Sequence, residues 1–380
     1  MRIVRLANFV TSSSGGLRTT LTALGAGYQA HGHEAVLVLP GPRDEQEVTA
    51  AGLRVTVKGT PVPGLGGYRV MLGRRRLAAL LERLAPDRLE VSDQITLRWV
   101  GRWARERGVP SMMVAHESLS GLLSIGGVPR RVARWIAYRL NRASVRAYGT
   151  ILCTTTWAGR EFARAGAVDR AGPRPGGGDT ADLVRVSLGV DLTTFHPDRY
   201  DPVLRSSYAK PGQTLIVHCG RLSHEKRPGR SVGALLSLRA MGYDAVLVVA
   251  GDGPLRRRLT RQARGAPVEF VSFVPDRRSL AALLATADVV VAPGPVETFG
   301  LAALEALACG TPVVVDADSA LPEVVGDAGV AVSGEAYEQG IAAVLAQPET
   351  DRRAAARARA ECFSWSSSVA GFLAAHGAKG

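Results

Sequence analysis

A rhythm constrains this chain more than any single motif. Short, near-continuous runs of apolar and β-branched residues alternate with helical patterns along its length. "MRIVRLANFV", "EAVLVLP", "SMMVAH" and "TILCTT" punctuate the first half. "TLIVHCG", "AVLVVAG", "VEFVSFV", "VVVAPG" and "TPVVVDA" punctuate the second. Strands apolar on both faces must be covered on both, and strands separated by helices pair in parallel. The rhythm starts afresh near residue 214. The expected fold is therefore α/β, with two doubly wound Rossmann-like domains facing each other across a cleft. The 380 residues suit two domains at roughly 100–200 residues each. The expected boundaries are 1–195, 196–362 and a C-terminal helix, 363–380, crossing back to the first domain. "AGPRPGGGDT" (171–180) reads as a surface loop and "LGVDLTTFHPDRYDP" (188–202) as a linker. Ligands in such sheets bind outside the carboxyl ends of the strands, so the cleft is the expected site.

Composition narrows the function classes. No apolar run approaches the ~20 residues of a membrane-spanning helix. The N-terminus lacks the apolar core and cleavage site of a signal peptide and reads as a first buried strand. Cys153, Cys219, Cys309 and Cys362 lie far apart with no metal-ligand spacing, which predicts a reduced, cytoplasmic chain. The formal net charge of +13 is uneven. Residues 1–195 carry 27 Lys+Arg against 15 Asp+Glu, hence +12; residues 196–380 carry 20 against 19, hence +1. A basic half joined to a neutral half suggests that one half faces a polyanion, either nucleic acid or an anionic membrane. "PRRVARWIAYRLNRASVRAY" (129–148) has six arginines and no acid, with Val132, Trp135, Ile136, Leu140 and Val145 interleaved. It predicts an amphipathic helix suited to an anionic leaflet, with "GRRRLAALLERL" (73–84) a second candidate.

Several motifs fall where a strand passes into a helix. Gly15 and Gly16 follow the first strand, where backbone N–H groups and a helix start can meet a phosphate. The pattern is neither G-x-G-x-x-G nor a P-loop. His116, in "VAHESLSG", ends a predicted strand. Arg221 and Lys226, in "VHCGRLSHEK", leave the first strand of the second half five residues apart and suit a leaving diphosphate. Backbone around Phe273 and Val274 is placed to read a nucleobase edge. The densest signal is "PVETFGLAALEALACGTPVVV" (295–315). Two carboxylates, Glu297 and Glu305, stand in an otherwise apolar run, and core normally rejects unpaired charge. A strand leads into a turn and then a helix ending at Gly310. Phe299, Gly300 and Leu301 would supply unbonded first-turn amides for a phosphate. Glu305 lies five residues beyond Gly300, about 7.5 Å along a helix axis, roughly a phosphate-to-ribose distance. Carboxylates bind vicinal hydroxyls strongly, so one glutamate suits a sugar and the other a ribose.

Together these features resemble the retaining glycosyltransferases of family 4, with the GT-B fold. The resemblance rests on E-x7-E, the upstream Gly-Arg…Glu-Lys, the Gly-Gly turn and the strand-end His. "SGGLRT", "LEVSD", "VAHE", "LCTT", "LGVDLTTFHP", "VHCGRLSHEK" and "APGPVETFGLAALEALACGTPVVV" are most similar to actinobacterial GDP-mannose-dependent α-mannosyltransferases. Those act on phosphatidylinositol mannosides or related glycolipids at the cytoplasmic membrane face. The resemblance implies that Gly15 and Gly16 approach the donor diphosphate and that Arg221 and Lys226 stabilise it as it leaves. Glu297 would hold sugar hydroxyls, the Phe299–Leu301 amides the distal phosphate and Glu305 the ribose. His116 would lie over the sugar, and Phe273 and Val274 beside the base. It further implies retention by front-face attack, with the diphosphate oxygen accepting the acceptor's proton, and neither metal nor cofactor. Asp316-Ala317-Asp318 follows a different strand and is not a D-x-D metal motif in a suitable loop. The acceptor would be a glycolipid, and the protein peripheral on the inner face of the cell membrane. One departure is the long, glycine-rich 171–180.

Three other readings compete with this one. A GT-B transferase using a UDP-sugar and a soluble acceptor shares every motif. An epimerase on the same fold would want buried proton-transfer carboxylates beside the sugar. A nucleic-acid-binding protein would want aromatic-interleaved basic strands or a helix-turn-helix, and none is present.

Overall fold

The computed structural model describes residues 1–10, 15–62, 68–169 and 180–378. The described chain divides into two compact units. The first comprises Met1–Leu188 and Trp365–Gly380, and the second Gly189–Ser364.

Among the described residues, the first unit is built on a sheet of nine strands. In chain order they are β1 (Arg2–Ala7), β2 (Glu34–Gly41), β3 (Glu45–Thr49), β4 (Gly52–Lys58), then, after a small hairpin of β5 (Thr60–Pro61) and β6 (Arg69–Val70), β7 (Arg88–Ser92), β8 (Ser111–Ala115), β9 (Thr150–Cys153), β10 (Val168–Asp169) and β11 (Asp182–Arg185). Their sheet order is β10-β11-β9-β8-β7-β1-β2-β4-β3. Every pairing is parallel except β3 on β4, an antiparallel edge. The register sets Val4 opposite Val36 on one side of β1 and Leu89 on the other. Ile3, Val4 and Leu6 are fully buried, as a central strand covered on both faces requires.

The second unit repeats the plan with β12 (Thr214–Cys219), β13 (Ala245–Ala250), β14 (Val268–Val271), β15 (Val289–Ala292), β16 (Val313–Asp316) and β17 (Gly329–Val332). Their order is β14-β13-β12-β15-β16-β17, all parallel. The order reverses between β12 and β15, a topological switch point of the kind that binds nucleotides. Gly251 and Gly253, in "AGDGPL", are explained by packing. A Cβ on Gly251 would lie 2.0 Å from the Gly220 carbonyl oxygen, and one on Gly253 2.5 Å from that of Leu222.

Two boundaries differ from the sequence expectation. Residues 189–195 belong with the second unit: Val190 bridges Ser364, and Phe195 is fully buried. The returning C-terminal helix is Trp365–Ala375, which packs on the helix Gly16–Ala30 of the first unit. Small residues permit that approach. A Cβ on Gly27 would lie 2.2 Å from Val369, and one on Gly371 2.6 Å from Val186. A buried polar cluster secures it. Glu90 Oε2 accepts from the Tyr28 hydroxyl at 2.8 Å and faces His376 Nε2 at 3.4 Å, while Arg5 stacks 5.4 Å from the Tyr28 ring. Burial works to raise the Glu90 carboxyl, but His376 and Arg5 outweigh it and hold it below the ordinary range.

Residues Arg130–Ala147 form the expected helix. Its buried face is made of Ala133, Ala137, Asn141, Ser144 and Val145. Val132, Trp135 and Tyr138 instead stand exposed among the arginines, with Trp135 62% exposed. Arg139 lies 5.8 Å from the Trp135 ring and Arg142 6.0 Å from that of Tyr138. In the helix Arg74–Leu84 the apolar residues Leu77, Leu80 and Leu81 are ordinary core. The loop 171–180 falls, but for Thr180, outside the described residues.

Candidate active site

In the first unit, Gly15 is the N-cap and Gly16 the first residue of the helix Gly16–Ala30, beyond the carboxyl end of β1. Both are exposed. Gly15 has an ordinary negative φ of −74°, so its turn requires no left-handed geometry. No atom among the described residues lies within 4 Å of a Cβ built there. The absent side chain leaves open space above the helix start. Residues 11–14 of the same motif lie outside the described residues. His116 directly follows β8, and its Nε2 is 2.9 Å from Oγ of Ser92, the last residue of the adjacent β7. Burial pulls its imidazole down to about 4, with Glu90 opposing weakly, so the ring is neutral at pH 7. It is a hydrogen-bonding group, not a cation.

In the second unit the remaining expected site residues lie on loops at the carboxyl ends of β12, β14 and β15 and in the helix that follows β15. Arg221 follows β12, and Lys226 closes a short 3-10 turn, His224–Lys226. Lys226 Nζ donates to Glu297 Oε1 across 71 residues of sequence. Gly294 makes room for this. A Cβ there would lie 3.1 Å from the Glu225 carbonyl oxygen and 3.4 Å from Lys226 Cα. Phe273 and Val274 sit on the loop after β14, Phe273 largely exposed.

The turn between β15 and the helix Leu301–Ala308 is held from behind. The Glu297 carbonyl accepts from the Ala320 amide at 2.9 Å. Gly300 has φ 83°, and a Cβ on it would lie 2.1 Å from Leu321. Both are beyond β16, whose last residue, Asp316, accepts from Arg230 and, at 3.0 Å, from Tyr337. Arg230 also donates to the Pro293 carbonyl at 3.2 Å. One guanidinium thus ties the start of the Glu297 turn to the segment that supports its end.

The helix itself starts at Leu301, with Gly300 its left-handed N-cap. Phe299 therefore precedes the first turn expected to include it, and its ring is buried against Phe363. Among the described residues the amides of Phe299, Gly300 and Leu301 meet no acceptor. They provide donors at a helix start, where an anion is favoured. Glu305, one turn in, is only 8% exposed. Arg277 Nη2 donates to its Oε1 at 3.1 Å. Burial pushes the Glu305 carboxyl up to about 7, Arg277 opposing and Asp191 reinforcing the rise.

The second unit therefore holds a cation–carboxylate pair on two loops, and an unbonded helix start with a second carboxylate one turn into that helix. Sequence reading missed Arg277, Arg230 and Asp316 as partners. Their pairings join residues 28 or more positions apart, and no local pattern signals them.

Residues 15–174 match the Glycosyl transferase 4-like domain, and residues 202–361 match Glycosyl transferases group 1. Over 386 aligned residues the chain is 48% identical to a GDP-mannose-dependent alpha-(1-6)-phosphatidylinositol dimannoside mannosyltransferase of Mycobacterium tuberculosis, covering 100% of this chain and 96% of that one. The chain belongs to the family 4 glycosyltransferases. This glycosyltransferase is also 28% identical to a GDP-mannose-dependent alpha-mannosyltransferase of Mycolicibacterium smegmatis, over 83% of its own length and 79% of the relative's. Its fold matches a sucrose-phosphate synthase of Thermosynechococcus elongatus with a TM-score of 0.75 at 18% identity, over 98% of this chain and 97% of that one. The glycosyltransferase thus has the GT-B architecture that the family resemblance implied, on the doubly wound domains read from its strand rhythm.

Proposed function

We propose that this glycosyltransferase moves mannose from GDP-mannose to a hydroxyl of a phosphatidylinositol mannoside-type glycolipid, with retention and without a metal. The observation that carries the reading is the 48% identity, spanning the whole chain, to a relative named for that donor and acceptor class. The site chemistry is compatible with it. Gly15 and Gly16 offer backbone amides to the diphosphate. Arg221 and Lys226 meet its charge as it leaves. Glu297, oriented by Lys226, accepts from sugar hydroxyls. The Gly300 and Leu301 amides, with that of Phe299, hold the distal phosphate, and Glu305 the ribose. Phe273 and Val274 flank the base. Neutral His116 hydrogen-bonds at the sugar without adding charge. Attack proceeds on the face the diphosphate leaves, and a diphosphate oxygen takes the acceptor hydroxyl's proton as the new C–O bond forms. No enzymic nucleophile is then required.

The acceptor would be met at the inner face of the cell membrane. Exposed Trp135 and Tyr138, ringed by arginines, suit an anionic interface. No helix of the described residues is long and apolar enough to cross a bilayer. The test supplies purified enzyme with GDP-mannose or UDP-glucose, each with a phosphatidylinositol dimannoside in mixed micelles. Mannosylated product from GDP-mannose alone, with the anomeric configuration retained and full activity in chelator, is expected. Equal use of UDP-glucose, or an inverted product, overturns the reading.

A further inference from the structure

Arg277 has no counterpart among the expected site residues, yet it is fastened to one of them. It opens the helix Arg277–Thr286, directly after Asp276, whose carboxylate accepts from the Ser279 amide at 2.8 Å. Its guanidinium lies 4.7 Å from the ring of Phe195, which is fully buried, and donates to Glu305 Oε1. A planar guanidinium stacked on a ring and paired in plane has few alternative positions. Glu305 Oε2 meets no donor among the described residues and is not sealed from solvent. One oxygen is thus taken by the arginine, and the other faces outward.

A carboxylate accepts strongly from a vicinal diol only when it is ionised and correctly turned. Burial opposes ionisation of Glu305, and so does Asp191; Arg277 is the charge that favours it. The thiols of Cys219 and Cys309 also lie beside this carboxyl, and burial keeps them protonated. We propose that Arg277 is a positioning residue for the nucleoside end of the donor. It keeps Glu305 charged and turned so that the outward oxygen receives the ribose diol. The inference rests on the reading of Glu305 as the ribose clamp.

The test compares binding of GDP and 2′,3′-dideoxy-GDP by calorimetry at pH 7.5, in wild type, Glu305→Gln, Arg277→Met, Arg277→Lys and the double variant Arg277→Met/Glu305→Gln. A wild-type preference for GDP of about ten- to a hundredfold is expected, the range for hydrogen bonds to a charged group. Arg277→Met is expected to shrink that preference at least about fivefold, with Arg277→Lys between. The double variant is expected to be no worse than Glu305→Gln alone, since both act through one carboxylate. A general loosening of the fold would weaken both nucleotides alike and leave the ratio unchanged. Wild-type preference in Arg277→Met overturns the proposal. If that variant does not fold, wild-type preference in Arg277→Lys overturns it instead. Loss of preference in Glu305→Gln together with its retention in Arg277→Met rejects Arg277 alone. Retention in Glu305→Gln rejects the ribose clamp, and the role of Arg277 falls with it.

Discussion

At the scale of single residues, the site is a set of buried or half-buried charges made tolerable by partners. Glu297 has Lys226 and Glu305 has Arg277. Replacing Glu297 by Gln removes a charge-assisted acceptor while keeping shape, so turnover with GDP-mannose should fall at least about a hundredfold, the scale of a lost transition-state contact. Steady-state kinetics with the natural donor check this; wild-type turnover would end any role for Glu297 at the sugar. Glu305 gives a pH signature. Its carboxyl is raised from an ordinary 4.5 to about 7, so the native state holds a proton that the unfolded chain has lost. Its contribution to stability therefore declines as pH rises from about 4.5 to 7. GDP binding, which favours the carboxylate, runs the other way and should tighten as pH rises to about 7 and then level. Comparing wild type with Glu305→Gln at each pH removes the nucleotide's own titration; identical profiles would contradict the assignment. The glutamate pair was legible because two acids in an apolar run demand an explanation. Their ion pairs were not, because a pairing across 71 or 28 residues is a property of the folded chain: Lys226 was read only as a diphosphate contact, and Arg277 not at all.

At the scale of elements, a turn is only as rigid as what stands behind it. The Glu297 turn leans on the segment after β16 through the Ala320 amide and through Leu321, which fills the space a side chain on Gly300 would need. Gly300→Ala meets both that contact and a left-handed φ, the second alone costing about 1–2 kcal/mol. Thermal unfolding of the second unit should drop by about 4 °C or more, and phosphate-dependent GDP affinity should fall with it. An unchanged melting curve would show that Leu321 yields freely. Most of this scale was readable beforehand. The quoted apolar runs became β1, β2, β8, β9 and β12 to β16. Other strands were not read. β7, "RLEVS", carries Arg88 and Glu90, and a strand with a buried carboxylate looks polar until His376 is known to sit against it. β4, with Arg54 and Lys58, and the short β11 and β17 lack the continuous apolar signal. Residues 129–148 do form a helix with one buried face, but the sequence did not say which residues would face inward. Small residues, with Asn141 and Val145, make its buried face, and Val132, Trp135 and Tyr138 point outward.

At the scale of the whole molecule, charge and exposure suggest where the acceptor is met. Liposome flotation should recover the enzyme with anionic vesicles at low salt and lose it at high salt, when the arginines are screened. Trp135→Ser should lower recovery severalfold without altering GDP affinity; equal recovery would remove that helix from the membrane face. The two-unit plan was legible in the restarting rhythm. The exact seam was not, because Val190 and Phe195 look like linker residues until their partners in the second unit are seen.

The return of Trp365–Ala375 to the first unit also bears on how the protein is made. As the ribosome delivers residues in order, the sheet of the first unit can pair as soon as β11 emerges. Its Glu90 then waits, next to the hydroxyl of Tyr28, for an imidazole encoded 286 codons later. The second unit can close around its own core in the meantime. The half that begins first is thus the half that finishes last, and a nascent chain cut short before Trp365 leaves the ribosome with its older portion still open.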